Sequence, residues 1–72
     1  MPTPNTVKIL FNGEPYETSD NTTVASLLNE LELAAGPVAV EVNLEVVPRQ
    51  AHAEFVLKEG DRMEVVTLVG GG

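Results

Sequence analysis

The sequence predicts an α+β domain in which one mixed sheet of four to five strands has one main helix packed across it. Several short segments alternate apolar and polar residues, the period of two expected of a half-buried strand. One segment instead repeats its apolar residues at helical spacing. The 72 residues are enough for one small domain with a single core, and they contain no internal repeat or linker.

The first two strands are predicted to form a hairpin after a loose lead-in at residues 1–6. Apolar residues of the first strand alternate at Val7, Ile9 and Phe11. Asn12-Gly13 follows, which is a strong hairpin signal because both residues tolerate positive φ. Residues 14–18 are expected to return antiparallel. Pro15 restricts this second strand to an edge, since proline lacks the N–H that an inner strand uses.

A single helix is predicted to follow the hairpin. Thr23 is the expected N-cap because it directly precedes the first apolar residue of the helical pattern. The apolar stripe consists of Val24, Leu27, Leu28 and Leu31. The helix is expected to end at Gly36-Pro37, since glycine is common just after a helix and proline cannot continue one.

The remaining strands complete the predicted sheet. Residues 38–42 and 45–47 are expected to pair across a tight turn at Asn43-Leu44, and residues 49–54 to form a loop or a short helical turn. Phe55, Val56 and Leu57 are expected to return to the core. The last strand, residues 62–69, is predicted to run centrally beside the first because it is apolar on both faces. Its inner face would carry Met63, Val65, Thr67 and Val69, and its outer face Glu64, Val66 and Leu68. The domain is thus predicted to span residues 7–69, followed by a flexible glycine tail at residues 70–72.

Composition excludes several functional classes. Eleven acidic and four basic residues give a formal net charge of −7, which disfavours nucleic acids and anionic membranes and favours basic protein surfaces. The chain has no cysteine, so no disulfide, thiolate nucleophile or zinc–thiolate site is expected. No segment has the length of a membrane span or the pattern of a secretion signal, so a cytoplasmic protein is expected.

The internal residues offer few candidates for catalysis or metal binding. His52 and Glu54 lie close together in the irregular segment, but without a nucleophile they favour a surface histidine in a loop. The carboxylates of Glu59, Asp61 and Glu64 lack the spacing of a calcium loop and are expected to be solvated. The remaining chemical candidate is the carboxylate of Gly72, which Gly70 and Gly71 would present on a narrow, flexible tail. A frayed chain end without a function is the alternative interpretation.

Several motifs together resemble the ThiS family of sulfur carriers in thiamin biosynthesis. The similarity covers nearly all of the chain after the lead-in. Leu44 departs from the pattern, since the family usually has glycine between the asparagine and the glutamate. The matching stretches are Ile9 to Glu14, Thr23 to Leu28, Val38 to Asn43, Glu45 to Arg49, Leu57 to Arg62 and the closing glycines.

The resemblance implies a β-grasp fold of the ubiquitin type and a carrier that is not itself an enzyme and binds no cofactor. It also implies that an E1-like adenylyltransferase resembling ThiF adenylates the Gly72 carboxylate with ATP and Mg²⁺. A persulfide donor would then supply the sulfur of a thiocarboxylate, and a thiazole synthase resembling ThiG would take that sulfur. Gly70 and Gly71 would not be catalytic, but would form the flexible segment that lets the Gly72 carboxylate reach the partner's active site.

Two outward residues of the last strand form a candidate docking patch beside the tail. Val66 and Leu68 are predicted either to dock a partner or to be buried under the loop that contains Pro48 and Phe55.

Two rival functions also remain. The Asn43-x-Glu45-x-Val47-Pro48-Arg49 stretch favours the thiamin pathway over a carrier that resembles the small subunit of molybdopterin synthase. The other rival is a ubiquitin-like binding module with an inert tail.

Overall fold

The computed structural model describes residues 5–68, which form a five-stranded mixed sheet with one α-helix packed on it. The strand order is β2-β1-β5-β3-β4, so β5 lies centrally beside β1, as predicted. These two strands are parallel, and the other neighbours are antiparallel. The predicted fold class is therefore confirmed. The elements are β1 (Thr6–Phe11), β2 (Glu14–Ser19), α1 (Val24–Glu30), β3 (Val38–Val42), β4 (Glu45–Val46) and β5 (Arg62–Thr67), with a 3₁₀ turn at Arg49–Ala51.

The β1–β2 hairpin has the predicted two-residue turn. Asn12 and Gly13 have φ values of 50° and 86°, and Phe11 lies opposite Glu14. Pro15 lies in β2, at an edge of the sheet, as predicted. Strand β1 begins one residue earlier than the pattern predicts, because Thr6 already pairs with Ser19, and the N–H of Asp20 donates to the carbonyl of Asn5 at 2.9 Å. Residues 1–4 of the predicted lead-in lie outside the described residues.

Helix α1 begins where the sequence predicts but ends earlier. The Thr23 hydroxyl accepts a hydrogen bond of 3.1 Å from the N–H of Ser26, which confirms the N-cap. The predicted end at Gly36-Pro37 is wrong, since the last helical residue is Glu30. The chain reverses at Glu32, whose φ is 62°. The N–H of Glu32 donates to Asn29 and that of Leu33 to Leu28, at 3.1 and 2.7 Å. This is the Schellman arrangement, here formed without glycine.

The core fills the space between α1 and one face of the sheet. Leu57 is buried and Phe55 packs against the core, as predicted, but Val56 is 38% exposed. The expectation for Val56 is wrong because neighbouring residues of an extended segment point in opposite directions. The segment at residues 49–54 is expected to be a loop or a short helical turn, and it begins with a 3₁₀ turn at Arg49–Ala51. The buried apolar residues are Ile9, Val24, Leu27, Leu28, Val40, Val42, Val47, Leu57, Met63 and Val65.

The turn between β3 and β4 places a leucine in a conformation that favours glycine. Asn43 and Leu44 have φ values of 54° and 70°, the mirror-image turn that joins short hairpins. The Leu44 side chain is 86% exposed and gains little from burial. A left-handed conformation costs a residue with a Cβ about 1–2 kcal/mol. The turn therefore carries backbone strain at the position where the sequence departs from the ThiS pattern.

Replacing Leu44 by glycine is expected to raise the free energy of unfolding by about 0.5–1 kcal/mol. The gain is the relief of left-handed strain, reduced by the greater freedom of glycine in the unfolded chain. The midpoint of urea denaturation measures the change. Ala39→Gly is the matched control, because Ala39 is exposed in β3, where glycine only weakens the strand. Equal destabilisation by both variants would contradict strain at Leu44.

Candidate functional site

The candidate site is the end of β5, which is also the end of the part of the chain that the structure describes. The N–H of Leu68 donates to the carbonyl of Pro37 at 2.8 Å, so backbone pairing with the start of β3 continues one residue beyond β5. Val69 and the three closing glycines, Gly70, Gly71 and Gly72, lie outside the described residues. Their roles as a flexible tail and as the reactive carboxylate stay predictions. The described residues define the platform from which the tail departs.

Asn12 holds β5 in place beyond the end of β1. Its backbone N–H donates to Met63 O at 2.9 Å. Its side-chain Oδ1 accepts from Val65 N at 2.8 Å, and its Nδ2 donates to Val65 O at 3.3 Å. The side-chain amide thus replaces the backbone partner that β1 no longer provides. Sequence reasoning identified Asn12 only as a turn residue, because no local signal reports a contact with a strand more than fifty residues away.

The outer face of β5 exposes the two predicted docking residues. Val66 is 60% exposed and Leu68 is 50% exposed. Burial under the loop with Pro48 and Phe55 is therefore excluded. Docking itself stays a prediction, but the surface it requires is present beside the point where the tail begins.

Carboxylates interrupt this apolar face toward the other end of the sheet. Glu41 lies directly opposite Glu64 on the neighbouring strand, and Val46, opposite Glu41 on β4, is 71% exposed. Like charges directly opposite each other in a sheet are destabilising. Arg62 lines the same small pocket as Glu41 and Glu64, so this end of the outer face is a mixed cluster of charges, whereas the end near Val66 and Leu68 is apolar.

His52 does not lie on the surface, which corrects the expectation from the sequence. It is only 8% exposed, and its Nε2 lies 3.0 Å from the carbonyl oxygen of Val47. Its own carbonyl accepts the N–H of Ala25 at 2.9 Å. The 3₁₀ turn presses this residue against the start of α1, a tertiary contact that an aperiodic segment does not indicate. His52 thus ties the connection after β4 to the helix.

The acidic turn near residue 60 has a structural role. Asp61 Oδ1 accepts from Asn43 Nδ2 at 3.0 Å, and Oδ2 accepts from Lys58 N at 2.8 Å. Glu59 Oε1 accepts from Lys8 N at 2.8 Å. The expectation that these two carboxylates are simply solvated is wrong, since they join the turn to β1 and to the β3–β4 connection. Within residues 5–68 no group of three metal-ligating side chains is placed to hold a metal ion.

Tyr16 is a further titratable group that contacts the helix. Burial raises the pKa of its hydroxyl, and the Glu30 carboxylate, which accepts its hydrogen bond at 3.2 Å, raises that pKa further. The Phe11 ring lies 6.3 Å from the Tyr16 ring, centroid to centroid. The hydrogen bond to Glu30 joins the hairpin to α1. No helix among residues 5–68 is long and apolar enough to cross a bilayer.

Comparison with known proteins relates this platform to one family. The model of the ThiS family matches residues 9–72. The sulfur carrier protein ThiS of Escherichia coli is 29% identical over 92% of this chain and 100% of its own. A crystal structure of the thiamine biosynthesis protein ThiS from Geobacter metallireducens superposes with a TM-score of 0.79 at 33% identity, over 92% of this chain and all of that one. The β-grasp fold implied by the sequence is confirmed by this match.

A second kind of relative is a much longer protein. A thiazole synthase from Paramagnetospirillum magneticum is 42% identical over 92% of this chain, but the match covers only 20% of that enzyme. The chain therefore corresponds to one small part of it. In that relative, a domain similar to this chain is joined to the rest of a thiazole synthase in one polypeptide.

Proposed function

The chain belongs to the ThiS family, and we propose that it is a cytoplasmic sulfur carrier that bears a thiocarboxylate on Gly72 and donates sulfur for the thiazole of thiamin. The observation that carries the proposal is the family match, which extends from β1 through the closing glycine. The carrier needs no catalytic group of its own. Its activity is to be modified by one partner and consumed by another.

The chemistry requires activation of a poor electrophile. A carboxylate resists attack, so an E1-like adenylyltransferase of the ThiF type would join Gly72 to AMP, using ATP with Mg²⁺ and releasing pyrophosphate. The terminal sulfur of a persulfide would then displace AMP, and a thiol would cleave the resulting S–S bond to leave the thiocarboxylate. Gly70 and Gly71 would pass through a narrow channel to the buried nucleotide because they carry no side chain. ATP and Mg²⁺ belong to the adenylating partner in this scheme.

A thiazole synthase of the ThiG type is the proposed acceptor of the sulfur. The long relative from Paramagnetospirillum magneticum supports this partner, because it joins a similar domain to a thiazole synthase. A covalent connection keeps two domains at a high effective concentration, which benefits a carrier and the enzyme that consumes its cargo.

Intact mass spectrometry tests the proposal. The chain is incubated with ATP, Mg²⁺, an active ThiF-type enzyme, a persulfide donor and a thiol that cleaves the intermediate disulfide. We expect the replacement of one oxygen by sulfur at Gly72, located by fragmentation, and no change when ATP is omitted. The Escherichia coli ThiS protein serves as the positive control for the enzyme. An unmodified chain in a reaction that modifies the control would favour a binding module with an inert tail.

Replacing Leu68 by aspartate is expected to slow adenylation by at least about tenfold, because truncation or charging of a central interface residue costs more than 1–2 kcal/mol. Leu44→Asp is the matched control. Leu44 is also an exposed leucine, but it lies at the opposite end of β3 from the tail. Initial rates of ATP-dependent pyrophosphate release measure the effect. Equal rates for both variants and the unmodified chain would contradict docking through Leu68.

A further inference from the structure

A groove of about 290 Å³ lies on the helix side of the sheet, between α1, the first residue of β3 and the 3₁₀ turn. Its wall is apolar and is formed by Ala25, Leu28, Ala34 and Val38. Two nitrogen-bearing side chains, Arg49 and His52, also line it. Small-molecule sites typically combine an apolar wall with a few fixed polar groups, and this volume is near the lower end of their range.

The hydrogen bonding of His52 defines one polar atom of the groove. The carbonyl oxygen of Val47 can only accept, so Nε2 carries the proton in their 3.0 Å contact. In the neutral ring, Nδ1 is then an acceptor directed away from Val47. Nδ1 has no hydrogen-bond partner among residues 5–68. Every side-chain nitrogen or oxygen of these residues that is fully enclosed does have a partner, so Nδ1 is not fully enclosed. It therefore contacts solvent, and the groove is the open space that His52 lines. His52, a residue that is only 8% exposed, thus brings to the lining of the groove an acceptor that has no partner among residues 5–68.

Arg49 gives the groove a charge opposite to that of the protein. The whole chain has eleven acidic and four basic residues, but no aspartate or glutamate lines this groove. The Arg49 side chain takes part in none of the side-chain hydrogen bonds within residues 5–68. A guanidinium offers a planar pair of donors that matches a carboxylate. The groove therefore has a cationic donor, a neutral acceptor and an apolar wall.

We propose that this groove is a binding site for a small carboxylic acid that has a short aliphatic body and a hydroxyl or ammonium donor beside the carboxylate. The carboxylate pairs with Arg49, the donor bonds to Nδ1 of His52, and the aliphatic part covers Leu28 and Val38. The residues that line this site lie on α1, at the start of β3 and near the 3₁₀ turn, and none of them is a residue on which the sulfur-carrier proposal depends.

Titration of the ¹⁵N-labelled full chain with 2-hydroxy-3-methylbutanoate tests the site. This acid has all three elements and about eight heavy atoms, so we expect saturable binding with a Kd of about 0.1–10 mM. The shifts should be confined to amides of groove residues and to the ring nitrogens of His52. The corresponding carboxamide, which lacks the charge, and 3-methylbutanoate, which lacks the hydroxyl, should each bind at least about tenfold more weakly.

Arg49→Gln provides the control on the protein side. Arg49 is exposed, so the variant should keep the dispersed spectrum of the folded chain while its Kd rises at least about tenfold. Arg49→Lys should recover part of the affinity because it restores the charge but not the planar fork. Undiminished binding by the folded Arg49→Gln variant, or shifts spread outside the groove, would each overturn the proposal.

A chain that ends at Leu68 distinguishes two possible ligands of the groove, a free carboxylic acid and the terminal carboxylate of the protein itself. If the site serves free acids, the shortened chain binds the probe with unchanged affinity. If the protein's own terminal carboxylate occupies the groove, the shortened chain binds the probe more tightly. Either result supports a carboxylate site, and the failure of probe binding to both chains would contradict it without affecting the sulfur-carrier proposal.

Discussion

Replacing Leu27 by alanine is expected to lower the free energy of unfolding by about 2–5 kcal/mol. Leu27 is fully buried and lies in the middle of α1, facing the sheet. The substitution removes its apolar contacts and leaves a cavity that rigid strands cannot close. A domain of this size has a total stability of about 4–11 kcal/mol, so one substitution removes a large share of it. Urea denaturation followed by circular dichroism measures the loss.

Leu44→Ala is the matched control for this prediction. It makes the same chemical change at a leucine that is 86% exposed, and both side chains keep a Cβ, so the strain of the left-handed turn is unaltered. Surface substitutions of this kind usually change stability by less than about 0.5 kcal/mol. Similar losses for Leu27→Ala and Leu44→Ala would show that the core between α1 and the sheet does not dominate the stability of this fold.

The features that the sequence predicts correctly depend on neighbouring residues. The Asn12-Gly13 turn requires only two residues that tolerate positive φ, and the cap at Thr23 requires one hydroxyl three residues before an N–H. The edge position of Pro15 follows from its missing N–H. Each of these signals acts over a few residues, so the rest of the fold does not need to be known.

The incorrect predictions depend on residues that are distant in sequence or on competing local signals. The helix ends at Glu30 and the chain reverses at Glu32, because Leu33 packs against the core and its N–H reaches Leu28, which outweighs the preference for glycine at the reversal. Asn12 contacts Val65, and His52 contacts Ala25, across the fold. Such contacts exist only after the chain is folded, so periodicity and propensity do not report them.

The sequence predicts which face of β5 carries Val66 and Leu68, but it does not predict whether that face is exposed to solvent. Alternation along β5 places Val66 and Leu68 on the face opposite Met63 and Val65, and the structure confirms that side of the strand. Whether a loop covers the outer face depends on the path of residues 49–56, which have no periodic pattern. The structure directs that segment toward α1, where His52 is buried, and the outer face stays open.

Deleting Gly72 is expected to reduce thiocarboxylate formation by more than about 100-fold. The shortened chain still ends in a glycine carboxylate, but its reach from Leu68 falls by about 3.3–3.6 Å. A displacement of about 1 Å from the reactive geometry already costs about 100-fold in rate, so a carboxylate held short of the nucleotide reacts poorly. Intact mass after incubation with ATP, Mg²⁺, the ThiF-type enzyme, the persulfide donor and the thiol measures the loss.

The same deletion should leave the fold and the docking surface unchanged. Gly72 has no side chain, and the buried core lies between Ile9 and Val65, so the melting temperature should not change. The shortened chain should also compete with the full chain for the adenylating partner, since Val66 and Leu68 remain exposed. A double variant that adds Leu68→Asp should lose this competition. Full modification of the shortened chain would show that the position of the carboxylate does not limit the reaction, and a large fall in melting temperature would show that the tail contributes to the fold.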